Sequence, residues 1–538
     1  MSVSSTRIPS ASAKPDEPSL ALESSARSEV VLVPALLLAA VYAIPLLAAV
    51  RPVADPILDP DVWWHLRVGQ WICEHRAVPT TDPFSIHGAE KAWVAYSWLY
   101  EVLVYGLYEA FGLAGIVIYR AAMSLAVVAV LHRLIHRRVA NFHVALGLTA
   151  IASLAMTPLF SERPWLFTLC FTTLTLDTVL TMREQSSARA MWLLPLVFAL
   201  WANLHIQFVY GFLLLGLACV VPWLDAKVLH LPSARTRRLF WVSESRTIAL
   251  TGLCFAATLI NPYHVRLYGV VWEYATQPGP FRCINELRAL EFREMPDWVV
   301  LLLGAAAVFV LGRQRRASSF DLLLLAGAGV LAFRARRDLW FLVVAAALIL
   351  AKASAGSLRG RQLDPPSMRL RFSRRVAAAG ILMAVTLGLA WQRDLSTENL
   401  RRTVARVFPV ESAAIVAERG YIGPIFNDFN WGGFLIWSLP QHPVVLDGRT
   451  NLHGDERMLR IGNTWAAGPG WRDDPDLLAA NLVLADVGSP LGNVLAMDER
   501  FEFVHEDAVA RLFVRKREEG REISAAQQER HDRENPIR

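Results

Sequence analysis

Asp59-Pro60-Asp61-Val62-Trp63-Trp64-His65-Leu66 stands just after the first long apolar run of the chain, Val30 to Val50. An acidic stretch that follows a run long enough to cross a bilayer belongs near a membrane surface. The ring of Pro60 fixes its own φ and pushes the residue before it toward an extended conformation. Side chains two apart on an extended chain point the same way, so Asp59 and Asp61 can converge on one point. Converging carboxylates hold a divalent ion or take a proton from a substrate hydroxyl. The plainer alternative is that Asp61 N-caps a surface helix from Val62 to about Glu74.

Composition sets the class. The 538 residues are 54% hydrophobic and 19% charged, against about a quarter charged in soluble domains. Apolar runs recur from Val30 to Trp391, which reads as a helical polytopic membrane protein. Residues 1–29 are rich in Ser, Ala and charge and read as a disordered cytoplasmic tail rather than a cleaved signal. The net charge of +6 calls for no nucleic-acid partner, because arginines in cytoplasmic loops account for much of it. Five cysteines form no metal pattern. Cys170, Cys219 and Cys254 fall in apolar spans, whereas Cys73 and Cys283 fall in outer loops where a disulfide could form.

A span needs about 20 apolar residues to cross ~30 Å of hydrocarbon. Eleven runs qualify in a transmembrane region 30–392: about 30–50, 113–132, 142–159, 165–182, 190–205, 208–225, 247–261, 298–312, 320–333, 338–351 and 376–392. The first outer loop, 51–112, ends in an amphipathic stretch whose polar stripe is Glu101, Tyr105, Tyr108 and Glu109. That pattern suits a helix lying in the interface. With eleven spans, the clusters at Arg133/Arg137/Arg138, Arg235/Arg237/Arg238, Arg313/Arg315/Arg316 and Arg369/Arg371/Arg374/Arg375 share one side. The positive-inside rule makes that side, and the N-terminus, cytoplasmic.

The acid pair and the C-terminal region are then outside. Arg334, Arg336 and Arg337 are outside too and break the rule. Either a span is misplaced, or these arginines bind an anion whose oxygens match their forked donors. Arg163 in Glu162-Arg163-Pro164, Asn203 and His205 gather on the same face, where polar groups near membrane depth mark cavities. Residues 393–517 lack a span and read as an extracytoplasmic α/β domain. It is expected to have a helix at Val410–Arg419, a strand at Val444–Leu446, a helix from Asp474 to Ala480, a strand at Leu482–Ala485 and a hairpin over Phe501–Val514. The last residues, 518–538, are charged and read as a disordered tail.

This arrangement resembles the GT-C superfamily of membrane glycosyltransferases, and within it a largely uncharacterised bacterial subgroup. The matching pieces are Asp59 to Leu66, Gly69, Asp82-Pro-Phe-Ser85, Trp93, Trp98, Arg163-Pro164, Trp201-Ala-Asn-Leu-His205, Asn261-Pro262, Asn430-Trp-Gly-Gly433 and Asp447-Gly-Arg449. They follow one another in the same order over most of the chain. The segment Phe426 to Arg449 is also distantly similar to the start of the outer domain of oligosaccharyltransferase catalytic subunits, without their full Trp-Trp-Asp signature.

The resemblance implies an inverting transfer of a sugar from a polyprenyl-phosphate donor to a saccharide, lipid or protein acceptor, on the periplasmic side of a bacterial inner membrane. Asp61 or Asp59 would be the base. His65, Arg163, Asn203, His205, Arg334, Arg336 and Arg337 are the candidates for binding substrate. Relatives differ in metal use, so Asp59 and Asp61 could also hold Mg or Mn. Two rivals remain: a transporter or flippase for a lipid-linked saccharide, and a non-catalytic assembly or export component.

Overall fold

The computed structural model describes residues 17–50, 59–88, 91–184, 189–227, 236–314, 317–357 and 368–516. A helix lies on each of the eleven runs. They are α1 (Glu17–Val50) and, after first-loop helices α2 (Asp61–His75) and α3 (Trp98–Phe111), α4 (Leu113–His136), α5 (Phe142–Ala155) and α6 (Trp165–Glu184). Next come α7 (Leu194–Leu204), α8 (Val209–Lys227) and α9 (Thr236–Thr258), then a second long loop with α10 (Arg266–Thr276) and α11 (Gly279–Cys283). The bundle closes with α12 (Met295–Gly312), α13 (Ser319–Arg334), α14 (Leu339–Ser357) and α15 (Met368–Arg393).

Among the described residues, seven helices have both the length and the hydropathy to cross a membrane, and α5 and α7 are shorter apolar helices. The chain is therefore a helical polytopic membrane protein. The first helix starts at Glu17, so residues 17–29 of the expected tail are helical; residues 1–16 and 517–538 lie outside the described residues. Helix α14 is the centre of the bundle: Leu339 to Ile349 are all buried, as expected of a helix apolar all round.

Both long loops and the C-terminal region meet at one end of the bundle. That region contains α16 (Thr397–Val404), α17 (Val410–Glu418), β1 (Ile425–Asn427), α18 (Gly432–Ser438), α19 (Thr450–His453), α20 (Asp455–Trp465) and α21 (Pro475–Ala479). Then follow β2 (Leu482–Asp486), α22 (Pro490–Leu495), β3 (Phe501–Glu506) and β4 (Ala510–Arg515). The sheet order is β1-β2-β4-β3, with β1 parallel to β2 and the other pairs antiparallel. Asp474 caps α21 by accepting from the Asp476 and Leu477 amides, as its position before Pro475 suggests.

One expected strand is different. Val444 makes only isolated bridges, one to Ile425 and one to Ser85 of the first loop. The Val444 amide donates to the Phe84 carbonyl at 3.2 Å, and the Ile86 amide donates to the Val444 carbonyl at 3.0 Å. The first loop is thus stitched to the outer domain edge-on. Trp63 continues the seam by packing edge-to-face on Phe408 at 5.6 Å and Phe434 at 5.4 Å. The second loop joins through Tyr263, whose hydroxyl donates to the Pro79 carbonyl, and through Tyr274, which donates to Asn451.

Two local expectations are corrected. Asp61 is not the N-cap of α2: it is the first helical residue, behind Pro60 at φ −63° and ψ −23°, and Pro60 makes no side-chain cap bond. The polar stripe of α3 is not a uniform outer face either, because Glu101 is buried against α2. The helices can cross that closely because Gly69 faces the Glu101 carbonyl, and a Cβ there would overlap it. Cys73 is exposed and free; the side chain of Cys283 lies outside the described residues.

Candidate active site

The two acids converge through a turn rather than through strand alternation. Asp59 Oδ1 accepts the Asp61 amide at 3.0 Å, bending the chain into the first turn of α2. The closure is made by Arg163. Its Nε donates to Asp59 Oδ2, and its Nη1 lies 2.6 Å from Asp61 Oδ2. The same Nη1 is 3.6 Å from Glu286 Oε1 of the second loop, and Arg337 Nη1 is 3.6 Å from that oxygen on the other side. Arg163 and Arg337 both lie over the Trp165 ring, at 5.1 and 5.9 Å from its centre.

Behind them, Glu162 accepts the Asp59 amide at 3.2 Å and pairs with buried Arg120 at 3.0 Å. Tyr100 and Tyr119 donate to the carbonyls of Glu162 and Arg163. The Glu162-Arg163-Pro164 turn is therefore fixed against the acid turn by both backbone and side chains.

Four carboxylates (Asp59, Asp61, Glu162, Glu286) face three guanidinium groups (Arg120, Arg163, Arg337) in this network. Burial, and then the charges of Asp61 and Glu162, push Asp59 up to about 7 against the pull of Arg163. Burial raises Asp61 as well, with Glu286 adding to it and Arg163 opposing it. Asp59 is thus poised to exchange a proton near neutral pH, in step with its neighbour Asp61.

The other sequence candidates divide into two sets. His65 is buried, with Nδ1 3.2 Å from Glu101 Oε1; burial and then the charge of Arg163 lower its pKa well below the usual value. Burial pushes Glu101 up to about 8. His205 Nδ1 is 2.8 Å from the Thr168 hydroxyl, which already accepts the Trp201 indole N–H at 2.9 Å.

Asn203 spends its side chain on Trp98, Ala199 and Ile260, tying α7 to its neighbours. Arg336 pairs with Glu294 and lies 3.6 Å from Asp297, and Arg334 stacks on Phe281 at 4.6 Å. Of the three rule-breaking arginines, only Arg337 joins the acid network, and it lies at the same end of the bundle as Asp61.

The outer domain closes the site from above. Gly433 packs on the Pro60 carbonyl and on Trp64, and Gly448 packs on the Asp61 carboxylate. A Cβ at either glycine would be too close: 2.6 Å from Pro60 O at Gly433, and closer still to Asp61 Oδ1 at Gly448. Beside Gly448, buried Arg449 joins Asp447 of its own domain to Asp82 of the first loop, with Nη1 2.6 Å from Asp82 Oδ1. Gly448→Ala should therefore displace the Asp61 carboxylate without unfolding the domain, since a carboxylate is the part that can yield. We expect loss of function with a melting temperature within a few degrees of wild type. Full function in that variant would show that the contact has no role.

Cavities flank the acid turn on two sides. One, of about 250 Å³, is lined by Trp165, Asn285, Glu286, Arg336 and Arg337 among others. The other, of about 500 Å³, includes Pro60, Phe408, Asp428, Asn430, Trp431 and Ser489 in its wall. For a divalent ion, the acid pair has little left to offer. Both Asp59 oxygens and one of Asp61 are engaged, and the fourth faces Gly448. Glu411, His505 and Asp507, at the surface of the outer domain, could also gather around an ion, but Asp507 already accepts from Ser412, Val509 and Ala510.

Sequence reasoning missed Glu286, Arg120 and the Asp82–Arg449 pair. Arg120 gave a signal, as an arginine inside the apolar run of α4; Glu286 sits in an ordinary polar loop and gave none.

No protein-family model matches the chain, and no curated protein matches it. Among solved structures it is similar to the archaeal oligosaccharyltransferase AglB from Archaeoglobus fulgidus, in complex with an inhibitory peptide and a dolichol-phosphate. The TM-score is 0.49 at 12% identity, over 86% of this chain and 70% of that one. It is also similar to ArnT from Cupriavidus metallidurans bound to undecaprenyl phosphate. There the TM-score is 0.46 at 14% identity, over 89% of this chain and 97% of that one.

Proposed function

We propose that this protein is a GT-C-type glycosyltransferase that moves a sugar from a polyprenyl-phosphate donor to an acceptor hydroxyl. The observation that carries the reading is the charge relay from Asp61 through Arg163 and Glu286 to Arg337. Arg337 Nε is buried with no hydrogen-bond partner among the described residues, and its side chain lines the cavity of about 250 Å³. An orphaned guanidinium donor suits an anion, and a leaving phosphate gains negative charge as its bond breaks.

In this reading Asp61 takes the acceptor proton as the hydroxyl oxygen attacks the anomeric carbon. The carbon–oxygen bond to phosphate breaks on the opposite face, so the configuration inverts. Asp61 is favoured over Asp59 because its Oδ1, though packed on Gly448, is not taken by Arg163, whereas both Asp59 oxygens are engaged. The acceptor would approach through the cavity beside Pro60. Mg or Mn is not required by this scheme.

Transfer from a synthetic polyprenyl-phosphate sugar by purified protein tests the reading. Arg337→Ala should slow it about a hundredfold, equivalent to about 3 kcal/mol. Arg337→Lys should recover part of the loss, because it keeps the charge without the planar fork. Undiminished transfer in Arg337→Ala would remove the phosphate assignment, and no transfer by the wild type would return the transporter and assembly readings.

The orientation we propose is an inner-membrane protein with its N-terminus cytoplasmic and its outer domain periplasmic, following the arginine clusters. A reporter active only in the periplasm and fused after Arg517 should be active. Activity of a cytoplasmic reporter there instead would reverse the orientation.

A further inference from the structure

We propose that the Arg163 guanidinium is the resident cation of the acid pair, filling the place a divalent ion would take between Asp59 and Asp61. The geometry is that of one positive centre bridging two carboxylates. The guanidinium donates Nε to Asp59 and holds Nη1 2.6 Å from Asp61 Oδ2, while it lies over the Trp165 ring. Glu286, a third carboxylate oxygen at 3.6 Å from Nη1, completes an anionic cup around a single guanidinium. Three acids drawn from two separate loops surround one guanidinium, which stands between them.

The cation is built in rather than recruited. The Arg163 carbonyl accepts from Tyr119 at 3.0 Å, and the adjoining Glu162 holds both the Asp59 amide and Arg120. The turn that delivers the guanidinium therefore cannot withdraw without breaking buried hydrogen bonds. A magnesium-sized ion needs six oxygens in near-octahedral order, and a calcium-sized ion needs six to eight. With Arg163 in place such an ion would meet used lone pairs and a like charge a few ångströms away, which repels it strongly in a partly dry site. Arg163 is a positioning residue in this scheme. It acts through Asp61, setting the direction of that carboxylate and favouring its ionised form.

The occupancy claim stands on geometry alone; its consequence, transfer independent of divalent ions, rests on the glycosyltransferase reading. The experiment separates them. Mn2+ binding to the full-length protein in detergent is followed by electron paramagnetic resonance, with Asp59→Asn/Asp61→Asn as the background. Wild type should show no Mn2+ above that background. Arg163→Gln, which keeps bulk but removes the charge, should gain a site that binds about tenfold or more tightly than anything in wild type. That site should vanish when Asp59→Asn is added. In the transfer assay, EDTA should leave wild type unchanged, Arg163→Lys should keep part of the activity, and Mn2+ should restore some to Arg163→Gln.

An aspartate-dependent Mn2+ site in wild type overturns the proposal, and needs no variant of Arg163 to be seen. A folded Arg163→Gln that still binds no Mn2+ overturns it as well. If transfer is absent throughout but the Mn2+ pattern appears, the occupancy stands and the glycosyltransferase reading fails.

Discussion

Asp61→Asn should lower sugar transfer by about two orders of magnitude or more while leaving the fold intact. The substitution keeps shape and one acceptor oxygen but removes both the charge and the basicity. The fold should survive because Asp61 does not cap α2; the turn is held by Asp59, whose Oδ1 takes the Asp61 amide. Arg163 keeps Asp59 and Glu286 as partners, so no buried guanidinium is stranded.

The pH profile gives a second readout. A base works deprotonated, and both acids are raised, Asp59 to about 7 and Asp61 in the same direction, by burial first. Wild-type transfer should therefore rise with pH as the coupled pair loses its proton and level off only above that titration, which lies higher than for an ordinary carboxylate. The inflection belongs to the coupled pair rather than to one residue. Asp59→Asn should give a smaller loss and move the inflection. Near-normal turnover by purified Asp61→Asn, or a flat profile from pH 5 to 8, would remove Asp61 from the role of base.

Much of this site was legible before the structure, for definite physical reasons. The apolar runs announce themselves because hydrocarbon demands them: a helix lies on each of the eleven, and seven of these helices are long and apolar enough to cross a membrane. The acid pair stands out because carboxylates beside a membrane need a reason to be there. The arginines that broke the positive-inside rule were singled out together, and only Arg337 joins the acids.

What pattern cannot supply is pairing across the chain. Arg163 meets Asp59 from 104 residues away, and Arg449 meets Asp82 from 367 away, with nothing local to announce either meeting. Asp82 and Asp447-Gly-Arg449 were recognisable as pieces of a resemblance, but not as each other's partners. The strand error has the same origin. Val444-Val445-Leu446 has the composition of a strand, yet its neighbours are the first loop on one side and Ile425 on the other. Three-residue β1 passed unnoticed because it is too short to show a period.

The largest effect on stability is expected from Arg449→Met. Arg449 is buried, gives Nη1 and Nη2 to Asp82 at 2.6 and 3.3 Å, and gives Nε and Nη2 to Asp447 at 2.8 and 2.6 Å. Its plane is also packed against Trp93, 4.9 Å from the ring centre. Methionine keeps much of the packing volume but leaves two buried carboxylates without their cation. Breaking such a network from one side costs about 3–5 kcal/mol, because Asp82 loses its cation, Asp447 keeps only His453 at 3.3 Å, and neither carboxylate can reach water.

The loss should appear first where the network lies, between the first loop and the outer domain. Protease cleavage in residues 76–97 should come before the transmembrane bundle unfolds. Against the burial that alone would raise it, Arg449 and then His453 hold the Asp447 carboxyl well below its usual range. A depressed carboxyl stabilises the fold above its unfolded pKa, about 3.9, and loses that contribution only as pH falls below it. The difference between wild type and variant should thus be full at pH 7 and shrink in acid.

The double variant Arg449→Met/Asp447→Asn then separates the causes. If stranded charge is what destabilises, the double variant should melt higher than Arg449→Met, although it has lost one more polar partner. If it melts lower, the lost hydrogen bonds dominate, and the lock holds by bonding rather than by charge.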